Sequence, residues 1–80
     1  MYFTVNEAQD ERRHIGTLDA SSDRELMEKL HQALDEHFDE DVKIVIQPKL
    51  ADCCRGLTAT INIELEDYTT QVEITETWLY

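Results

Sequence analysis

Leu57, Ala59, Ile61, Ile63 and Leu65 alternate without a break with Thr58, Thr60, Asn62 and Glu64. A strict period of two puts every apolar side chain on one face of a strand and every polar one on the other. A chain holding such a run has to build a sheet with one dry face and one wet face. It must also supply something to cover the dry one.

The cover is a single helix. Ser21-Ser22-Asp23-Arg24-Glu25 is a capping box, in which the Ser22 hydroxyl accepts from the Glu25 amide and the Glu25 carboxylate reaches back. A helix is therefore expected from Asp23. Leu26, Leu30, Ala33, Leu34 and Phe38 recur at steps of three and four, with Met27 at the edge of the stripe, so one apolar face runs to about residue 38. Glu25 and Lys29 are spaced for a favourable i,i+4 pair on the outer side.

Further strands frame this pair of elements. Residues 2–6 suit a short strand, and 12–18 a second that completes a hairpin. Val42, Ile44 and Ile46 alternate with Lys43, Val45 and Gln47, and Pro48, lacking an N–H for the ladder, closes that run. A loop through Cys53, Cys54 and Gly56 leads to the alternating strand, a turn follows at 66–69, and Val72, Ile74 and Trp78 mark a last strand. Glu76 interrupts its apolar side, as at a sheet end or a bulge. The expected fold is α+β: a two-layer sandwich of about five mostly antiparallel strands with one amphipathic helix on one face, in the order β-β-α-β-β-β, forming a single domain over residues 1–80. The opposite face, carrying Thr58, Thr60, Asn62, Glu64, Glu73, Thr75 and Thr77, is left to water or a partner.

Charge narrows the partner. The net charge is −11, and residues 19–41 hold nine acids against Arg24 and Lys29, a net of −7. Such a field repels nucleic-acid phosphates and anionic lipid and draws in basic partners. Asp35, Glu36, Asp39, Glu40 and Asp41 crowd the end of the helix, where the negative end of the dipole disfavours each by about 0.3–1 kcal/mol. Asp35 and Asp39 lie roughly 6 Å apart along the axis, against roughly 3.4 Å between phosphates of one DNA strand, so the run is not a one-to-one phosphate mimic. The fold as read does not need these acids, which leaves solubility or a cationic partner as their use.

Catalytic signatures are missing. There are two glycines, Gly16 and Gly56, no G-x-S-x-G and no H-E-x-x-H. Cys53 and Cys54 are adjacent, unlike the spaced framework of small secreted domains, which points to a reducing compartment. Arg55 beside them would favour a thiolate, but no base is placed by the sequence, and a buried cysteine next to an exposed one explains the pair. His31 and Asp35, one turn apart with His37, Asp39 and Asp41 close by, lack the glycine and distant glutamate of an EF-hand loop, and no metal is assigned. No signal peptide or run of roughly 20 apolar residues is present.

The reading is thus a cytoplasmic, non-enzymatic binding or regulatory protein, needing no cofactor. It docks a basic protein through Asp35, Glu36, Asp39, Glu40 and Asp41, helped by Glu25 and Glu28. An antagonist of a nucleic-acid-binding protein is one such role. The alternative is an assembly domain that oligomerises through its open sheet face or its last strand, with Trp78 and Tyr80 at a homodimer contact.

Overall fold

The computed structural model describes residues 1–9, 11–53 and 57–77. The elements run β1 (Tyr2–Glu7), β2 (His14–Asp19), α1 (Asp23–Phe38), β3 (Lys43–Ile44), α2 (Leu50–Cys53), β4 (Thr58–Glu64) and β5 (Thr69–Thr77). The strands form one antiparallel sheet in the order β2-β1-β5-β4-β3, with α1 and α2 on one face. The α+β class expected from the pattern is the one found.

Helix α1 begins where the capping box puts it. Ser22 Oγ accepts from the Glu25 N–H at 3.1 Å, and Glu25 Oε1 accepts from the Ser21 N–H at 2.9 Å. Leu26, Leu30 and Leu34 are fully buried against Phe3 and Val5 of β1, Leu18 of β2, Ile61 and Ile63 of β4, and Val72 and Ile74 of β5. Each such side chain contributes about 1.5–3 kcal/mol by leaving water. The Glu25–Lys29 pair does not form: Glu25 is spent on the cap, and the Lys29 ammonium bonds the Asp19 carbonyl.

Two expectations need correction. The strand expected over 42–47 keeps only Lys43–Ile44 in the sheet, with Val42 buried before it and Val45 and Ile46 exposed after it. Pro48 is fully buried, so the chain turns inward there and leaves the strand edge. The expected loop then contains α2, whose Leu50 N–H donates to Asp23 Oδ1 at 2.8 Å and whose Cys53 enters the core. Second, of the two settings expected for Glu76 the bulge is not found and the sheet end is: β5 pairs β1 in continuous register from Tyr2↔Thr77 to Glu7↔Val72, and Glu76 lies one residue past the last β4 pair, Thr58↔Thr75. The register shift lies instead between β1 and β2, where Val5↔Gly16 is followed by Asn6↔His14 and Ile15 is left over.

The order of the sheet also bears on assembly. β5 is paired on both sides, by β1 and β4, from Val72 to Thr75, so the middle of the last strand has no free edge. The suggested contact through Trp78 and Tyr80 lies outside the described residues.

Candidate partner-binding surface

The acids at the end of α1 divide into those the fold uses and those it does not. The chain leaves the helix through Asp39, in the left-handed region at φ 55° and ψ 40°, with its N–H on the Asp35 carbonyl. A non-glycine residue accepts this conformation most readily when it is Asn or Asp, which gives one reason for an acid at this position. The Asp35 carboxylate accepts the N–H of buried Val42 at 2.9 Å, and Glu40 Oε1 accepts the Glu66 N–H at 2.7 Å, tying the loop to the β4–β5 turn. The expectation that the fold needs none of these acids is therefore corrected for Asp35 and Glu40. Both stand at the unfavourable end of the dipole because each satisfies a backbone donor, and a hydrogen bond to a charged group contributes about 1.5–3 kcal/mol.

Glu25 serves the cap, and Glu28 Oε1 meets Arg24 Nε at 3.2 Å. Glu36 and Asp39 are exposed and have no side-chain partner among the described residues. Asp41 is almost wholly exposed, its Oδ1 3.7 Å from His31 Nε2. The bond from Glu66 to Glu40 also brings up exposed Glu66 and Asp67 from the β4–β5 turn, some 25 residues away in the chain. Sequence reading missed these two, because nothing local tells which turn lands on the helix end. The free acids are thus Asp39 and Asp41, joined through Glu40 by Glu66 and Asp67, and Glu36 on the last turn of the helix toward β2. Lys43, engaged with Glu64 at 3.7 Å, is nearby in sequence.

His31, Asp35 and Asp41 offer three donor atoms within 4.8 Å of one another. The inner two are committed to Val42. His31 Nε2–H donates to the Val42 carbonyl at 2.9 Å while Asp35 accepts the Val42 amide, so the ring nitrogen that faces the carboxylates carries a hydrogen rather than a lone pair. The cluster is a latch on both backbone groups of one buried residue. On the other side of the helix, His37 Nε2 meets Glu7 Oε2 at 2.8 Å and ties α1 to β1.

The open sheet face has its own order. Thr17, Thr4, Thr75 and Thr58 stand in one row across β2, β1, β5 and β4. Many of its polar groups bond one another: Thr58 to Thr75 at 2.9 Å, Thr4 to Thr77, and Gln71 Nε2 to Asn62 Oδ1 at 2.8 Å. Such pairs stabilise the sheet and leave fewer donors for a ligand. The Cys53 thiol is buried and donates to the Lys49 carbonyl at 3.5 Å, which suits a packing residue better than a nucleophile. Cys54 and Arg55 lie outside the described residues.

No family model matches this chain, and neither a curated protein nor a solved structure shows significant similarity to it.

Proposed function

We propose that this chain is a small non-enzymatic binding protein that docks a basic protein through the acidic end of α1, an antagonist of a nucleic-acid-binding protein being one form of that role. The observation that carries the reading is what remains once folding uses are subtracted. Asp39 and Asp41 keep exposed carboxylates on either side of Glu40, which is tied to the turn carrying Glu66 and Asp67, and Glu36 keeps one in the last turn of the helix, in a chain of net charge −11. Exposed like charges gathered at one end cost stability through mutual repulsion and gain nothing from the helix dipole. A cationic surface would remove both penalties and be steered to this end of the molecule.

The test is affinity capture from the native host at low salt with a salt step, run in parallel with Glu36→Gln/Asp39→Asn/Asp41→Asn. The expected result is a basic protein held by the parent, released as the ionic strength passes that at which exposed charges are screened beyond about 8 Å, and lost by the triple variant. Asp35 and Glu40 stay untouched because their loss would disturb the loop itself. A partner retained equally by parent and triple variant overturns the reading.

A further inference from the structure

The sheet has two edges, and among the described residues they are covered unequally. At β2 the Ala20 N–H bonds the Met1 carbonyl, so by alternation the backbone groups of Asp19 and Thr17 face outward. The Lys29 ammonium occupies the Asp19 carbonyl, and Asp19, Lys29 and Glu36 flank the groove beside this strand. Charge laid along an edge is a standard defence against strand addition.

The other edge carries its charged pair, Lys43 and Glu64, only where β3 covers β4, and leaves Thr58 and Thr60 beyond it. β3 pairs only with Ile63 and Glu64 of β4, and one more bond, from the Val45 N–H to the Asn62 carbonyl at 3.1 Å, extends that ladder. This bond turns Asn62 away from β5. Thr60 and Thr58, two and four residues earlier, therefore also turn their N–H and C=O groups outward, past the end of β3. The opposite strand agrees: the Gln71 carbonyl accepts from Ala8, so Gln71, facing Asn62 in register, points toward β1. Among the described residues nothing bonds the outward backbone groups of Thr58 and Thr60. Beside them stand Val45, Ile46 and Leu57, three of the six exposed large hydrophobic residues of the described chain, with exposures of 48%, 66% and 59%. A groove of about 390 Å³ runs along the same edge, with Ile46, Pro48 and Leu57 among its apolar lining and Gln47, Asp52 and Asn62 among its polar lining.

We infer that a second copy of this chain pairs with the outer edge of β4, antiparallel about a two-fold axis at Ala59. Local charge selects this occupant. Lys43 and Lys49 offset Asp52 and Glu64 around the edge, while residues 19–41 hold −7 of the net −11. A basic partner gains little at so neutral a site, whereas an antiparallel edge flanked by exposed Val45, Ile46 and Leu57 is complementary to itself. With the axis at Ala59, Thr58 meets Thr60 of the other copy and the pair exchanges both backbone bonds. The symmetric pair does the same, and the overlap of residues 57–61 stops where β3 claims Asn62. Leu57 falls on the face shared by Ala59 and Ile61 and lies opposite Ile61 of the other copy, at the mouth of its groove. The two sheets become one continuous sheet.

A strand pair of this length lies at the small end of specific interfaces, so dissociation in the range of about 10–100 µM is expected. Sedimentation equilibrium from about 5 µM to about 1 mM, at roughly 0.3 M salt to screen the net charge, should show the mass rising from 9.4 kDa toward twice that value. Leu57→Lys should weaken the dimer at least about tenfold with an unchanged circular dichroism spectrum. Thr60→Pro should do likewise, since the N–H it removes faces away from β5. A parent that stays monomeric at about 1 mM overturns the inference, as does a Leu57→Lys dimer as tight as the parent's, whatever Thr60→Pro does. The acidic triple variant should dimerise as the parent does, so failure here and failure of the proposed partner site are read separately.

Discussion

Asp35 and Glu36 are adjacent acids at the same unfavourable helix end, and the structure predicts opposite signs for their removal. Asp35→Ala deprives the Val42 N–H of its acceptor, and Val42 is only 2% exposed, so water has little access to that amide. An orphaned buried donor costs about 1–3 kcal/mol. Relief of the dipole penalty returns about 0.3–1 kcal/mol, leaving a net loss of about 1–2 kcal/mol. Glu36→Ala loses no hydrogen bond among the described residues, recovers the same dipole penalty and improves helix propensity slightly. It should stabilise by about 0.3–1 kcal/mol. Urea unfolding followed by circular dichroism resolves both, and in a domain of this size about 1 kcal/mol moves the melting temperature by roughly 4–8 °C. Equal effects of one sign for the two variants would refute the division of this acidic run into folding and free carboxylates.

Two further substitutions probe the frame. Ser22→Ala should destabilise by about 1 kcal/mol through loss of the cap on the Glu25 amide, measured in the same urea titration. Asp23→Ala removes the carboxylate that receives the Leu50 N–H, and should raise amide exchange at Leu50 about tenfold or more, for a lost interaction of about 1.4 kcal/mol, while amides in the centre of α1 change little. Unaltered exchange at Leu50 would show that α2 is held by its packing alone.

Much of the scaffold was legible because its signals are local. The capping box and the Leu26, Leu30, Leu34 stripe define α1 to within a residue at each end, and the alternation over 57–65 gives β4 and its two faces. The strand at 42–47 was misjudged because its alternation is real, yet Pro48 finds a buried place that draws the chain off the sheet. α2 was invisible because a carboxylate 27 residues away receives its first amide.

The acidic surface divides along the same line. The sequence alone establishes that this molecule is strongly negative, that residues 19–41 hold −7 of the net −11, and that such a surface suits cations rather than phosphates. Which acids are free is decided in three dimensions. Asp35 and Glu40 look identical to Glu36 and Asp39 in the sequence, and only the placement of Val42 and Glu66 separates them. Strand order is likewise tertiary: alternation says which face of a strand is dry but not which neighbour lies beside it, so only the folded sheet puts β5 at its centre and leaves β4 with an open edge. Periodicity records what a residue's own backbone geometry requires, and long-range hydrogen bonds record where the rest of the chain happens to arrive.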